Sequence, residues 1–171
     1  GEKFSGKTHL VNIFLKKFNG IRIDVNSLND ENLKSIKPYQ NIVLEDLNLN
    51  INEKLIYSLF NIIDQDNKFL IITSTKPISE INFQLEDLRS RTKNCLFANI
   101  QNPDDELMFA LILKNLSDRQ ITLDKKLIDF IIKRIERSYG KIFEFIYKID
   151  KISLKKKKSI DFKIINEALE E

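Results

Sequence analysis

The sequence has too few cysteines and histidines for several common kinds of site. Its 171 residues include one cysteine, Cys95, and one histidine, His9. A single cysteine excludes an internal disulfide and a metal site built on a Cys-x-x-Cys pair. A single histidine excludes His-rich zinc sites and most Ser-His triads. We therefore expect Cys95 to be structural, and any chemistry to depend on other side chains.

Long apolar runs and a strong charge of either sign are also missing. No apolar run reaches the roughly 18 residues that a membrane-spanning helix needs. The formal net charge is +3, which permits contact with nucleic acid without arguing for it. We expect a cytoplasmic protein without membrane contact, whose contact with DNA is weak or indirect.

The first hundred residues alternate between a helical and a strand-like pattern. Residues 7–18 carry apolar side chains at helical spacing, and so do residues 52–65. Short apolar segments rich in β-forming residues are typical of buried parallel strands, and they cover residues 21–25, 41–46, 69–74 and 95–100. Cys95 would lie within the last of them. Strands that alternate with helices predict an α/β fold with a doubly wound parallel sheet.

From residue 103 onward the apolar pattern is helical only. We expect helices over residues 104–116, 123–134, 138–152 and 162–169. We therefore predict an α/β domain over residues 1–102 and a helical domain over residues 103–171. The basic run from Lys155 to Lys158 is expected to be a solvated loop between two of these helices, rather than a site that binds phosphates.

The first ten residues, GEKFSGKTHL, contain the spacing of a phosphate-binding loop. Gly1, Gly6, Lys7 and Thr8 fit the pattern G-x-x-x-x-G-K-[ST], in a chain with only four glycines. In such a loop, backbone N–H groups surround the β-phosphate, the lysine neutralises phosphate oxygens and the threonine hydroxyl binds Mg²⁺. The helix that follows directs its positive end at the same phosphates. The pattern predicts nucleotide binding; the alternative is an ordinary glycine turn before a helix.

Polar side chains end two of the expected strands. In NIVLEDLN, Glu45 and Asp46 lie at a strand tip, where one carboxylate can hold Mg²⁺ through water while the other orients an attacking water. In LIITSTKP, Thr73, Ser74 and Thr75 end the next strand and can reach the γ-phosphate or that water. A strand that simply ends in acids, or in a polar cap, is the alternative in each case.

Arginines in two later segments are candidates for contact with phosphates. Arg89 and Arg91 lie in LEDLRSRTKN, and an arginine that no carboxylate of its own chain holds can reach a neighbour's nucleotide. The alternative for these two is a solvated pair. Arg137, in KRIERSYGKIF, lies between two expected helices and can swing onto the phosphates, unless it pairs with Glu136 or Glu144.

Taken in order, these segments resemble the AAA+ ATPases and, within them, the DnaA-related group. SGKTHL is similar to that group's Walker A motif, VLEDLN to its Walker B motif, LIITSTKP to its first sensor and LEDLRSR to its arginine-finger box. The helical part resembles the Hda-type members most. The resemblance implies a P-loop AAA+ sheet followed by an α-helical lid.

The resemblance also implies roles for individual residues. Arg91 matches the finger arginine, which would act in trans on a partner's nucleotide, and Asp46 is the candidate for orienting the attacking water. Thr8 and Glu45 would hold Mg²⁺. We expect contacts to ADP or ATP from the following residues: Gly1, Gly6, Lys7, Thr8, His9, Thr75 and, as the second sensor, Arg137.

The Hda-type resemblance implies a regulator of replication initiation. Such a protein binds ADP and, with the DNA-loaded sliding clamp, triggers hydrolysis of ATP on DnaA; it can also form homo-oligomers. Two departures favour a regulator over a motor. Glu45 stands where the group usually has an aspartate, and its longer arm weakens Mg²⁺ binding. Thr75 stands where an acidic residue is usual, so weak or no ATPase activity of its own is expected.

Other assignments stay open. A DnaA-type initiator or a DnaA-like helicase loader is the main alternative. A stand-alone P-loop kinase or hydrolase would need a substrate pocket with its own base, for which the sequence offers no candidate beyond Glu45 and Asp46. The strand that normally precedes the Walker A loop is missing here, and its loss would leave unpaired sheet edges. We therefore expect the chain to be part of a longer protein, whose upstream segment would carry the clamp-binding motif.

Overall fold

The computed structural model describes residues 1–48 and 51–170 in two compact units. One unit contains Gly1 and residues 6–99, and the other contains residues 2–5 together with the chain from Ile100 onward. The predicted domains, 1–102 and 103–171, stay a prediction, and the end of the second at Glu171 lies outside the described residues.

The first unit contains a parallel sheet of three strands among the described residues, in the order β1-β2-β3. The strands are β1 (Gly20–Asp24), β2 (Asn41–Leu47) and β3 (Phe69–Ser74). The helices of this unit are α1 (Lys7–Lys17), α2 (Asp30–Ser35), α3 (Glu53–Gln65) and α4 (Glu86–Lys93). The predicted α/β alternation is thus confirmed, whereas α2 was not predicted.

The central strand β2 is buried because it has a neighbour on each side. Its apolar residues Ile42, Val43 and Leu44 are fully buried, which explains why the sequence there is continuously apolar rather than alternating. Helix α3 buries a stripe at i, i+3, i+4 and i+7, from Ile56 to Ile63. It begins after Asn52, whose side chain accepts a hydrogen bond from the N–H of Lys54 at 3.1 Å.

The strand predicted over residues 95–100 does not form, so that prediction is wrong. The segment follows α4 without regular structure, and Leu96 and Phe97 are 103% and 59% exposed. A strand requires a hydrogen-bonded neighbour, and apolar character alone supplies none. Cys95 accordingly lies just after a helix, where its thiol donates to the carbonyl oxygen of Arg91 at 3.8 Å.

The Gly20→Ala substitution is expected to destabilise the first unit by about 1–3 kcal/mol, because overpacking forces the backbone to shift. A Cβ at Gly20 would lie 2.5 Å from the carbonyl oxygen of Asn41, its partner in β2. Urea denaturation of the full-length protein should show a lower midpoint at an unchanged slope.

The matched control is Gly140→Ala in the second unit, where a Cβ would meet its nearest atoms at 3.6 and 3.9 Å. Since this glycine lies in a helix, alanine should be neutral or stabilising by up to about 1 kcal/mol. Equal losses for the two variants would show that the contact with Asn41 does not decide the result.

The second unit is helical, as the sequence predicts. Its helices over the described residues are α5 (Asp105–Asp118), α6 (Lys125–Ile132), α7 (Tyr139–Lys156) and α8 (Phe162–Glu170). Isoleucines from all four helices share one core. Side chains of Asp104, Ser138 and Asp161 cap α5, α7 and α8 by accepting hydrogen bonds from backbone N–H groups.

The first half of the basic run is helical, contrary to the prediction, and the second half, Lys157 and Lys158, lies in the connection to α8. Lys155 and Lys156 form the last turn of α7, where cations interact favourably with the helix dipole, and Lys157 ends the helix in a left-handed conformation. Lys156 also forms an ion pair with Glu167. In the described part of the chain, no helix has the length and apolar character needed to cross a membrane.

Candidate functional site

The glycine loop is curled onto the carboxyl end of β3. The nitrogen of Gly1 donates to the carbonyl oxygen of Ser74 at 3.3 Å, and Lys7 Nζ donates to the carbonyl oxygen of Gly1 at 2.9 Å. This places the start of the loop directly beside Thr75, the exposed residue that follows β3. Lys7 and the strand end before Thr75, predicted from separate segments, are therefore linked through Gly1.

Gly6 forms the junction between the loop and α1. Its φ of +91° lies in the left-handed region that favours glycine. Its carbonyl oxygen begins the helix by accepting from the N–H of Leu10 at 3.0 Å. No side chain caps this end of α1, and its first turn holds no acidic residue, so its first N–H groups suit an anion. Thr8 and His9 lie on this turn and are exposed.

Glu45 is a buried carboxylate whose charge is already compensated. Its side chain is 10% exposed, and Oε2 lies 3.1 Å from Nε of Arg22 on the neighbouring strand β1. Arg22 also donates through Nη2 to Oδ1 of Asn12 on α1. The other oxygen, Oε1, is buried without a hydrogen-bond partner among the described residues. Arg22 thus links Glu45 on β2 to Asn12 on α1, an arrangement that the sequence alone did not indicate.

Asp46 lies in a β-bulge that exposes its side chain. Leu44 pairs with Ile72 and Leu47 with Ser74, so β2 has one more residue than β3 in this interval. Asp46 has a φ of 57°, a left-handed conformation that aspartate tolerates better than most residues. Its N–H donates to Oγ1 of the buried Thr73 at 3.0 Å. The bulge therefore fixes the backbone of Asp46 and leaves its carboxylate at the surface.

Arg91 is held by a carboxylate of its own chain. It forms an ion pair with Asp64 of α3, and its guanidinium carbon lies 5.2 Å from the ring centroid of Tyr57, two turns earlier on α3. Its side chain is 30% exposed. Arg89 instead forms an exposed pair with Glu86 at 3.6 Å. The condition that we attached to a finger arginine, freedom from carboxylates of its own chain, is therefore not met by Arg91.

The thiol of Cys95 lies close to the same pair. Partial burial and, to a smaller extent, the negative charge of Asp64 raise the pKa of Cys95 above its ordinary value. The thiol is therefore protonated near neutral pH and is a poor nucleophile, as a structural role requires.

In the second unit, Arg137 pairs with Asp105 at the start of α5. Their Nη2 and Oδ1 atoms are 2.8 Å apart, and both side chains are largely exposed. Asp105, rather than Glu136 or Glu144, is thus the partner in the described structure. An exposed pair of this kind contributes little free energy, so Arg137 can exchange Asp105 for another anion at small cost.

Residue Glu2 contacts the first turn of α7, immediately after Arg137. Its Oε2 accepts from the hydroxyl of Ser138 at 2.9 Å, and Oε1 accepts from the N–H of Tyr139. A carboxylate at a helix N-terminus is favoured by the helix dipole. The motif pattern treats this loop position as variable, so Glu2 could not be selected from its sequence position.

Among the described residues, no group of three or more His, Cys, Asp or Glu side chains could hold a metal ion by itself. The predicted ligands Thr8 and Glu45 are a hydroxyl and one carboxylate, which suit a Mg²⁺ ion that phosphates and water coordinate as well. The unpaired, buried Oε1 of Glu45 fits such an ion or one of its waters, although Arg22 has compensated the charge.

Residues 104–169 match the family described as the Hda lid domain. A curated relative, the chromosomal replication initiator protein DnaA of Lachnoclostridium phytofermentans, is 31% identical over 115 residues, which are 67% of this chain. The chain spans about a quarter of the length of that relative.

Solved structures of DnaA share the fold. Domain III of the Thermotoga maritima replication initiation protein DnaA superposes with a TM-score of 0.76 at 18% identity, covering 99% of this chain and 81% of that one. AMPPCP-bound DnaA from Aquifex aeolicus superposes with a TM-score of 0.66 at 19% sequence identity, covering 88% of this chain and 53% of that one. The solved structures show the fold, an α/β unit followed by a helical lid. The lid match and the curated relative identify the chain as a DnaA/Hda-related AAA+ protein.

Proposed function

We propose that this protein is a nucleotide-bound regulator of chromosomal replication initiation, which promotes hydrolysis of ATP on DnaA. The observation that favours a regulator over a motor is the ion pair between Glu45 and Arg22. A hydrolase needs a carboxylate free to position Mg²⁺ at the phosphates. Here Glu45, the candidate for that role, is paired with an arginine, which favours weak or no ATPase activity of its own.

The nucleotide is ADP or ATP, held mainly by the glycine loop. The uncapped first turn of α1 and the amine of Lys7 supply N–H donors and positive charge where phosphates would bind. Thr8 and Glu45 would hold Mg²⁺, which when bound neutralises phosphate charge. The AMPPCP-bound Aquifex protein supports an adenine nucleotide in this fold. Thr75, His9 and Arg137 are the further contacts that we propose.

The partner ATPase is DnaA, and Arg91 is the group that would act on its nucleotide. The match of residues 104–169 to the Hda lid supports this choice. The sliding clamp would be the second partner, and the setting would be the cytoplasm. Homo-oligomers and weak or indirect contact with DNA are compatible with this role.

The test follows hydrolysis of radiolabelled ATP bound to DnaA, with clamp-loaded DNA and ADP present, with and without the full-length protein. We expect an acceleration of about tenfold or more, since a finger arginine in trans supplies much of the transition-state stabilisation in related reactions. Reactions that lack the clamp or DnaA are the controls. No acceleration, together with ATP turnover by the protein alone, would contradict the proposal.

ATP turnover by the protein alone, without acceleration of hydrolysis on DnaA, would favour the alternative function, a DnaA-type initiator or helicase loader. The observation in its favour is the 31% identity to an initiator over two thirds of the chain. An initiator would bind ATP and assemble on DNA, so ATP-dependent assembly measured by sedimentation separates the two functions.

A further inference from the structure

We propose that Arg22 is a built-in counter-ion of Glu45, which makes nucleotide binding by this protein largely independent of Mg²⁺. The inference rests on the proposed nucleotide binding and adds a residue that the motif pattern does not contain. The proposal concerns the charge balance of the nucleotide site, so it does not depend on whether DnaA is the partner.

The register of the sheet brings Arg22 to Glu45. Arg22 of β1 lies opposite Val43 of β2, and Glu45 is two residues further along the same strand. Side chains two residues apart in a strand share a face of the sheet, so the arginine reaches the glutamate diagonally. The resulting contact, 3.1 Å between Nε and Oε2, is a charge-assisted hydrogen bond.

The arginine is also held from the helix side. Its Nη2 donates to Oδ1 of Asn12 on α1, the helix that begins with Lys7 and Thr8. The planar guanidinium can make both contacts in one orientation, so it loses little conformational freedom for each hydrogen bond that it forms. The pair therefore lies on the face of the sheet that the phosphate-loop helix covers, which is where a Walker-type carboxylate is needed.

A second cation at Glu45 would have to overcome this arrangement. The carboxylate is nine-tenths buried, so water screens the repulsion between Arg22 and an incoming Mg²⁺ only weakly. Oε1 remains unpaired in the described residues, which leaves a place for a residual effect of Mg²⁺.

The experiment measures the Kd of mant-ADP for the full-length protein in saturating MgCl₂ and in EDTA. For the natural sequence we expect the two Kd values to differ by less than about threefold, because Arg22 already compensates Glu45. Arg22→Gln should raise this ratio to about tenfold or more, since the buried carboxylate then depends on Mg²⁺ for its counter-charge. Arg22→Lys, which keeps the charge, should keep the ratio near that of the natural sequence.

Several outcomes would overturn the inference. A ratio of about tenfold or more in the natural sequence would do so without any variant, so the test survives if Arg22→Gln fails to fold. An unchanged ratio in a folded Arg22→Gln protein, checked by circular dichroism, would do so as well. Absence of mant-ADP binding under both conditions would remove the proposed nucleotide site itself, and this inference with it.

Discussion

Replacing Lys7 with alanine is expected to abolish nucleotide binding, with a Kd for mant-ADP raised by about 100-fold or more, because a phosphate-loop lysine contacts the most highly charged part of the ligand. In the structure its amine donates to the carbonyl oxygen of Gly1 at 2.9 Å, across the mouth of the loop. The amine is therefore already positioned at the point where phosphate oxygens would replace that carbonyl. Titration by fluorescence or calorimetry measures the change.

The matched control for this prediction is Lys16→Ala. Lys16 lies in the last turn of the same helix and is exposed, so this variant removes the same charge at the other end of α1. It should bind mant-ADP within about twofold of the natural sequence, since an exposed charge that far away is largely screened. Equal weakening by both variants would mean that only net charge matters, and retained binding in Lys7→Ala would contradict the phosphate-loop assignment.

The parts of the fold that the sequence predicted are those set by local pattern. The strands β1, β2 and β3 and the helices α1, α3 and α5 to α8 each follow from the spacing of apolar residues. The segment 95–100 has the same local pattern as a strand, yet strand formation also depends on a neighbour with free hydrogen-bonding groups. Periodicity contains no information about neighbours, so this element could not be judged from its own residues.

The residues of the candidate site also divide into those that a local motif predicts and those that it does not. The glycine loop and the acids at the end of β2 are short motifs, so their residues could be named in advance. Arg22 could not be named in advance, because an arginine between two isoleucines, as in IRID, is typical of an ordinary strand with alternating side chains. Its role depends on the register between β1 and β2 and on the position of Asn12 in α1. The left-handed Asp46 likewise follows from a bulge, which no pattern in NIVLEDLN indicates.

The contact of Arg91 with Asp64 arises from the packing of two helices and not from a local motif. The two residues are 27 positions apart and meet because α4 packs beside α3, a tertiary contact that the sequence does not specify. It changes the meaning of the arginine-finger assignment. An arginine that already has an anionic partner must release it before it can serve another nucleotide, so the exchange between Asp64 and a phosphate becomes part of the proposed function.

Arg91→Ala is expected to leave the protein's own binding of mant-ADP within about twofold, while it removes nearly all of the stimulation of ATP hydrolysis on DnaA. The hydrolysis rate should fall by about tenfold or more, to the level without this protein, because a finger arginine supplies much of the transition-state stabilisation in related enzymes. The pair with Asp64 is at the surface, so its loss should cost no more than about 1 kcal/mol of folding free energy. The single-turnover rate of DnaA-bound ATP, with clamp-loaded DNA present, measures the effect. Weaker binding of the protein's own nucleotide in Arg91→Ala would contradict a role in trans.

Two further variants separate the charge of Arg91 from its position. Arg89→Ala removes an arginine from the same helix whose partner is the exposed Glu86, and it should retain stimulation. Asp64→Asn removes the carboxylate that holds Arg91 but keeps the size of the side chain. If Asp64 competes with the phosphate of the partner, this variant should stimulate at least as well as the natural sequence, at a lower concentration. If Asp64 instead orients Arg91 for the reaction, the same variant should lose stimulation at saturating protein, because the guanidinium is then free but misplaced.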